Sequence, residues 1–310
     1  MSDSTAQASP DPAPYRGRFA PSPTGPLHFG SLIAAVGSYL EARCRDGEWL
    51  VRMEDVDELR NVEGAADDIL FTLEAYGFEW DGEVMYQTER KEAYQQALQQ
   101  LQEQHRSYRC TCSRRDLREQ ADMGELGLIY PGTCEQAQHP AHVEHAIRVC
   151  TDDRSIDFHD CIMGDYRQNL RRELGDFIVR RRDGLFAYQL AVVVDDAFQH
   201  ISHVVRGYDL LDSTPRQIFL QQLLNLPTPE YCHLPIAINR AGDKLSKQTR
   251  APALSRRQTV RALVQVMDFL NQAPEPELQH ATPEVFWQWA LETWDARRVP
   301  AKAHIPAPSS

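Results

Sequence analysis

His28, Gly30 and Ser31 stand together in the stretch RFAPSPTGPLHFGS, where a short mixed segment gives way to residues at helical spacing. The first turn of a helix carries unpaired N–H groups and partial positive charge, so it attracts phosphate. Gly30 lets a flat base or a phosphate approach the backbone. His28 can donate a hydrogen bond to a phosphate oxygen as charge builds there. A second group lies far downstream, Asp243-Lys244-Leu245-Ser246-Lys247-Gln248, in a polar loop after the strand-like run HLPIAIN. Lys244 and Lys247 at that spacing can reach triphosphate oxygens and stabilise a pentavalent transition state. Alone, each group reads as an ordinary helix start or an exposed lysine loop. The two in this order, each after a strand, are far more specific.

A third group is made of cysteines. Cys110-Thr-Cys112, followed by Tyr130-Pro-Gly-Thr-Cys134, puts three thiols in one loop-rich stretch and suggests tetrahedral zinc. A fourth ligand is required, and His139, His142 and His145 are chemically ordinary candidates. Cys44, Cys150, Cys161 and Cys232 stand apart and are expected to be small buried side chains. With no secretion signal, a disulfide framework is not expected.

These groups need elements to hold them. Arg16 to Ala20 leads into the breaker-rich PSPTGP, and Leu27 to Arg43 carries apolar residues at helical spacing. WLVRMED, Trp49 to Asp55, alternates like a strand and ends in carboxylates. Ala65 to Tyr76 and Glu89 to Glu103 read as helices. This alternation implies a Rossmann-like α/β fold, a parallel sheet with helices on both faces. Tyr108 to Cys150 breaks the rhythm and reads as an inserted module. Strand-like runs return at DFIVRR (Asp176 to Arg181), LFAYQLAVVVDD (Leu185 to Asp196), HISHVVRG (His200 to Gly207) and HLPIAIN (His233 to Asn239). Helices are expected over Pro215 to Leu224, Arg257 to Leu270 and Pro283 to Asp295. The expected division is a tail over 1–14, halves of a catalytic domain over 15–107 and 151–232, an inserted zinc module over 108–150, and a lysine loop with a short helical part over 233–310.

RFAPSPTGPLHFGS resembles the HIGH segment of class I aminoacyl-tRNA synthetases, and KLSKQ resembles their KMSKS loop. The form RFAPSPTG is that of the glutamyl branch, which VRMEDVD, DGLFAYQLAVVVDD and VVRGYDLLDSTPRQ also resemble. HFGS has Ser31 where HIGH has its second histidine, and KLSKQ differs by Leu245 and Gln248. Both departures are similar to those of the glutamyl-queuosine tRNA(Asp) synthetases. The resemblance runs from about Arg16 to Pro252. It implies that ATP, as its magnesium complex, activates glutamate, with His28, Gly30 and Lys247 toward the phosphates. It places Arg18, Ala20, Ser22, Glu54, Tyr188 and Arg206 at glutamate-binding positions, with Phe19 and Pro21 in the same RFAPS segment. The chemistry agrees: arginine binds carboxylate in a two-pronged geometry, Glu54 can accept from an ammonium, and Tyr188 can donate a hydrogen bond and wall the site. In the cysteine module the resemblance adds Tyr130 as a phenolate ligand, beside the histidine alternatives.

Composition narrows the partners. The chain has 310 residues, with 33 Lys and Arg against 45 Asp and Glu, a net charge of −12. That argues against loose, charge-driven binding of nucleic acid. Arg171, Arg172, Arg180, Arg181 and Arg182 read as a solvated basic edge. No run of apolar residues is long enough to span a membrane, and the polar start is no signal peptide, so a cytoplasmic location is expected. Only two helices follow KLSKQ, and no anticodon-binding domain is expected. The expected acceptor is therefore a tRNA(Asp) anticodon stem-loop bearing queuosine. The alternatives are a minimal enzyme charging the 3′ end of tRNA(Glu), and a zinc-containing nucleic-acid adaptor without catalysis.

Overall fold

The computed structural model describes residues 14–137, 139–239, 242 and 252–308. The chain begins with β1 (Arg16–Phe19), α1 (Phe29–Arg43), β2 (Glu48–Met53), α2 (Ala65–Ala75), β3 (Met85–Tyr86) and α3 (Lys91–Glu103). β1, β2 and β3 pair in parallel, with Arg18 opposite Leu50. α1 is buried along most of its length, through Leu32, Ile33, Val36, Tyr39 and Leu40.

The next stretch holds β4 (Ser107–Cys110), α4 (Arg114–Gln120), β5 (Asp122–Gly124), β6 (Gly127–Ile129), β7 (Ala146–Val149), β8 (Ser155–Asp160), β9 (Gly164–Asn169), α5 (Leu170–Glu173) and β10 (Phe177–Arg180). β4 and β10 flank β7, both antiparallel to it, so the two ends of the cysteine-bearing stretch share a sheet with a later strand.

Then come α6 (Tyr188–Phe198), β11 (His203–Gly207), α7 (Thr214–Leu224), β12 (Glu230–Leu234), β13 (Ile236–Ile238), α8 (Thr259–Phe269), α9 (Pro283–Thr293) and β14 (His304–Pro306). β11, β12 and β8 are parallel, and β9 runs antiparallel to β8 at the edge. The structure is thus a set of mixed α/β sheets rather than one parallel sheet. Backbone hydrogen bonds between β1 and the β11 side are limited, Ser202 N–H donating to Arg16 O at 3.0 Å, while Arg16 N–H turns to Ser202 Oγ.

Among the described residues two large hydrophobic cores result, with a small third cluster at Cys110, Tyr130 and Cys134. One joins α1 and the first sheet to Leu263, Val266, Met267, Phe286 and Trp287 of α8 and α9. Trp287 donates its indole N–H to Tyr76 O at 2.9 Å, which pins α9 to the end of α2. The other core joins Tyr94 and Leu98 of α3 to Leu190 and Val193 of α6 and Phe219 of α7.

Two strand expectations are corrected. The run around AYQLAVVVDD is helix α6, not a strand. A continuous apolar run cannot by itself separate a buried helix from a buried strand, and this helix buries Leu190, Ala191, Val192 and Val193 together with Asp195 and Asp196. HLPIAIN is not one strand. It breaks at Pro235, which has no N–H for a ladder, into β12 and β13 in different sheets. Of the four lone cysteines only Cys232 is buried as expected; Cys44 and Cys161 are exposed and Cys150 is half-buried. Among the described residues no helix is long and apolar enough to cross a membrane.

One glycine couples the cysteine stretch to the rest. Gly175 bridges Tyr130 with φ +73, and a Cβ there would lie 2.1 Å from Tyr130 O. The obstacle is backbone, so it cannot swing aside. Gly175→Ala should destabilise the chain by at least about 2 kcal/mol, read as a lower urea midpoint and faster proteolysis between β4 and β7. An unchanged midpoint would mean that this contact is not rigid.

Candidate active site

A cavity of about 770 Å³ opens where β1, β2 and β11 meet the start of α1. Arg18, Phe19, Ala20, Pro21, Ser22, His28, Gly30, Ser31, Glu54, Tyr188 and Arg206 all line it. Residues far apart in sequence, the phosphate-loop group picked out by type and spacing and the others by resemblance, are therefore brought to one place. Lys244 and Lys247 lie outside the described residues. The chain enters that segment after β13, whose Ile236 and Ala237 line the cavity. It leaves where Ala253 pairs with His28 and Leu254 N–H donates to Leu27 O at 2.9 Å.

His28 is the N-cap of α1. Its Nδ1 accepts from Ser31 N–H at 3.3 Å, so the proton of the neutral ring sits on Nε2. The cap satisfies one of the helix's first N–H groups, and the positive end of the helix dipole faces an anion placed there.

The charged walls are held from behind. Asp196 lies in the last turn of α6. Its Oδ1 accepts from Arg18 Nε at 3.1 Å and from Arg52 Nη2 at 2.7 Å, and its Oδ2 accepts from Arg18 Nη2 at 3.4 Å. Burial opposes ionisation of Asp196, but Arg18 and Arg52 outweigh it and hold the carboxyl below its usual range. Asp195, one residue earlier, accepts from Gln87, Arg90 and Tyr94. Arg206 donates from Nη1 to Tyr188 Oη at 3.3 Å.

Glu54 differs from these. Arg52 Nη2 lies 3.6 Å from its Oε1, beyond hydrogen-bond distance, and that oxygen is buried without a hydrogen-bond partner. Burial pushes its carboxyl up to about 7, against the pull of Arg52 and Arg18. A buried acceptor with nothing to accept, on a cavity wall, is a ready partner for an ammonium.

The cysteines also gather. Cys110, Cys112 and Cys134 Sγ lie within 4.8 Å of one another. Tyr130 Oη is 3.4 Å from Cys110 Sγ and 3.7 Å from Cys112 Sγ, and accepts from Cys134 N–H at 3.1 Å. His139 Nε2 is 3.3 Å from Cys134 Sγ. Sulfurs around one tetrahedral zinc are about 3.8 Å apart, so this cluster is compatible with zinc. Tyr130 touches two of the thiols and His139 one. His145 turns instead to Val143 O, and neither it nor His142 falls within the thiol cluster. Arg148 donates from Nε to Cys110 Sγ at 3.2 Å and lays its guanidinium 3.7 Å over the Tyr130 ring, a counter-charge for an anionic cluster.

The run of arginines is solvent-facing at Arg172 and Arg182, as expected, but it is paired rather than a free basic patch. Arg171 pairs with Glu135 and Asp176, Arg172 with Asp153, and Arg181 with Asp57 and Asp183. Arg182 donates to the carbonyls of Thr111 and Cys112, and Arg180 to Gly184 O. Asp196, Arg52, Asp160 and His233 were not singled out in the sequence. Helical phase would have found Asp195 and Asp196, seven and eight residues after Tyr188 and hence on its face of α6.

Residues 15–263 match the profile of the tRNA synthetases class I (E and Q), catalytic domain. Over 299 residues the chain is 54% identical to the "Glutamyl-Q tRNA(Asp) synthetase" of Dechloromonas aromatica, covering 96% of this chain and 99% of that protein. It matches the same-named protein of Thiobacillus denitrificans to the same extent. The chain belongs to this family. Among solved structures, the glutamate-tRNA synthetase of Elizabethkingia anophelis shares the fold, with a TM-score of 0.77 at 23% identity over 95% of this chain and 68% of that one. The chain is thus a class I synthetase-like ligase with the mixed α/β fold of that family.

Glu54 sets a pH dependence. Below about 7 its carboxyl takes up a proton and loses the charge an ammonium needs. The affinity for the expected glutamate, followed by calorimetry, should therefore fall as pH drops through that value. Glu54→Gln should flatten this acid limb and weaken binding about tenfold or more, as loss of a charged hydrogen bond implies. A wild-type curve with no acid limb would remove Glu54 from ammonium recognition.

Proposed function

We propose that the chain activates L-glutamate with ATP, without help from tRNA, and transfers the glutamyl group to queuosine at the wobble position of tRNA(Asp). The observation that carries this reading is the single cavity in which a helix N-terminus and His28 stand beside Glu54, Arg18, Tyr188 and Arg206. A triphosphate suits the first wall, and an amino acid with a second carboxylate suits the other.

The α-carboxylate of glutamate attacks the α-phosphorus of ATP in line and pyrophosphate leaves. Bound glutamate places its ammonium at Glu54 and its carboxylates toward the guanidiniums of Arg206 and Arg18. His28 Nε2–H and the N–H of Gly30 take up charge developing on the phosphates, while Ser31 N–H holds the His28 ring in place. Lys244 and Lys247 are assigned to the triphosphate by their motif. Magnesium enters with ATP. A hydroxyl of the queuosine cyclopentenediol then attacks the glutamyl carbonyl and AMP departs. RNA loops are read through splayed bases, and one splayed base suits a cleft of this size.

The test is to offer the protein ATP, labelled glutamate and a short anticodon stem-loop with or without queuosine. The queuosine-bearing stem-loop should accept glutamate nearly as well as intact tRNA(Asp). Label at the 3′ end of tRNA(Glu) would instead make the chain a minimal glutamyl-tRNA synthetase.

Cys110, Cys112, Cys134 and Tyr130 would hold one structural zinc, with His139 beside the cluster. Held there, zinc would serve a structural role, with ligands from β4 and from the loop before β7. Elemental analysis of protein purified without chelator should give about one zinc per chain. Cys134→Ser should lower that content while leaving the circular dichroism of the catalytic part largely intact. Metal-free wild-type protein with unchanged protease resistance over 108–150 would sink the zinc reading.

A further inference from the structure

Behind Arg206 lies a chain of buried polar groups that the reaction itself does not use. His233 in β12 and Asp160 at the end of β8 are both fully buried. Asp160 Oδ1 accepts the backbone N–H groups of Ile162, Met163 and His233, so its position is set by the main chain. Its Oδ2 lies 2.6 Å from His233 Nδ1. A carboxylate there demands that Nδ1 carry the proton, so Nε2 is left as an acceptor. Arg206 Nε donates to that Nε2 at 3.0 Å. Arg206 Nη2 donates to Thr214 Oγ1 at 2.9 Å and to Leu210 O at 3.3 Å. Nε and Nη2 of the guanidinium are thus held by protein and one N–H of Nη1 goes to Tyr188 Oη, which leaves the second Nη1 N–H for a ligand.

The choice of partner has a chemical meaning. Arg18 is held by the carboxylate of Asp196, which offsets its charge. Arg206 is held by an imidazole, and burial together with Arg206 itself disfavours protonation of that ring. A neutral acceptor orients a guanidinium and leaves its positive charge for a ligand anion. A carboxylate in the same place would orient it equally well but compete with that anion.

We propose that His233, fixed in one tautomer by Asp160 and assisted by Thr214, is a positioning residue that presents Arg206 with its charge intact to a glutamate carboxylate. This rests on the reading of Arg206 as a glutamate-binding group, and the test separates the two. Glutamate-dependent ATP–pyrophosphate exchange is measured on the full chain for His233→Leu, His233→Gln, Thr214→Val and Arg206→Ala. His233→Leu removes the acceptor and should raise KM for glutamate about tenfold, the usual worth of a hydrogen bond to a charged group, with KM for ATP unchanged. In His233→Gln the amide oxygen can accept from Arg206 and the amide N–H can donate to Asp160, so KM for glutamate should return to within a few fold of wild type. A merely structural role for His233 would move both KM values, or only the melting temperature, and the glutamine variant would not restore selectivity. Either result overturns the proposal. If His233→Leu does not fold, Thr214→Val decides: a selective rise in KM for glutamate supports the proposal, and no change overturns it. If Arg206→Ala leaves KM for glutamate unchanged, the reading of Arg206 itself fails. If Arg206→Ala raises it while His233→Leu does not, only the positioning role fails.

Discussion

Three arginines, Arg18, Arg52 and Arg206, are almost wholly buried beside one cavity, and a buried guanidinium deprived of its partner costs several kcal/mol, typically about 3–5. Much of the catalytic architecture comes from meeting that demand. The carboxylate that serves Arg18 and Arg52 belongs to Asp196, at the far end of a helix that starts with Tyr188 on the cavity wall. Asp195, in the same turn, anchors α6 to Gln87, Arg90 and Tyr94, which lie in and just before α3. The helix therefore spans from the site to its foundation. A strand of the same residues would send alternate side chains to opposite faces and could not put both aspartates to use in one buried network.

A second buried carboxylate organises the cysteine-bearing stretch. Asp176 is essentially unexposed and accepts from Tyr108 Oη at 2.6 Å, from Thr151 N–H at 2.7 Å and from Arg171 at 3.3 Å. These donors come from β4, from the segment after β7 and from α5. Together with the β4–β7–β10 sheet and the Tyr130–Gly175 bridge, this hub joins the cysteine stretch to α5 and β10 as one frame. The thiols then sit at one edge of a frame whose other members are already fixed, which is how a metal cluster with short loops achieves its geometry.

The features legible in the sequence are local ones. The start of α1 can be read because a cap, a glycine and the first helical turn are neighbours, and the thiols because two short segments carry all of them. The glutamyl-type pocket is legible by resemblance, since Arg18, Glu54, Tyr188 and Arg206 come from four separate elements. The features that escape are governed by partners distant in sequence. The helix α6 reads as a strand because burial all round removes the period that would identify it. The arginines between Arg171 and Arg182 read as a basic edge because their acidic partners, Asp57, Glu135 and Asp153, lie elsewhere in the chain. His233 and Asp160 carry no signal at all, since a histidine in an apolar strand is more often an ordinary core residue than part of a site.

The charges on the cavity wall show how the two proposed substrates would divide it. Arg18, Arg60, Arg181 and Arg206 line it, against Glu54, Asp57 and Asp209. Arg18 and Arg181 already have carboxylate partners, Asp196 and Asp57. Little positive charge is thus uncommitted, and Arg206 is the deeply buried part of it. That would suffice for an amino acid bound as proposed, with its ammonium at Glu54 and its carboxylates at guanidinium. It cannot neutralise a triphosphate as well. On the proposed reading the phosphates would be left to the dipole of α1, to magnesium and to the lysines of the KLSKQ segment, whose flanks at Ile236 and Ala253 lie beside the cavity and beside His28. Dividing the work in this way keeps glutamate selectivity in rigid, buried groups. It assigns the stabilisation of charge that appears only in the transition state to groups that meet the nucleotide, which is where interactions raise the rate rather than merely tighten binding.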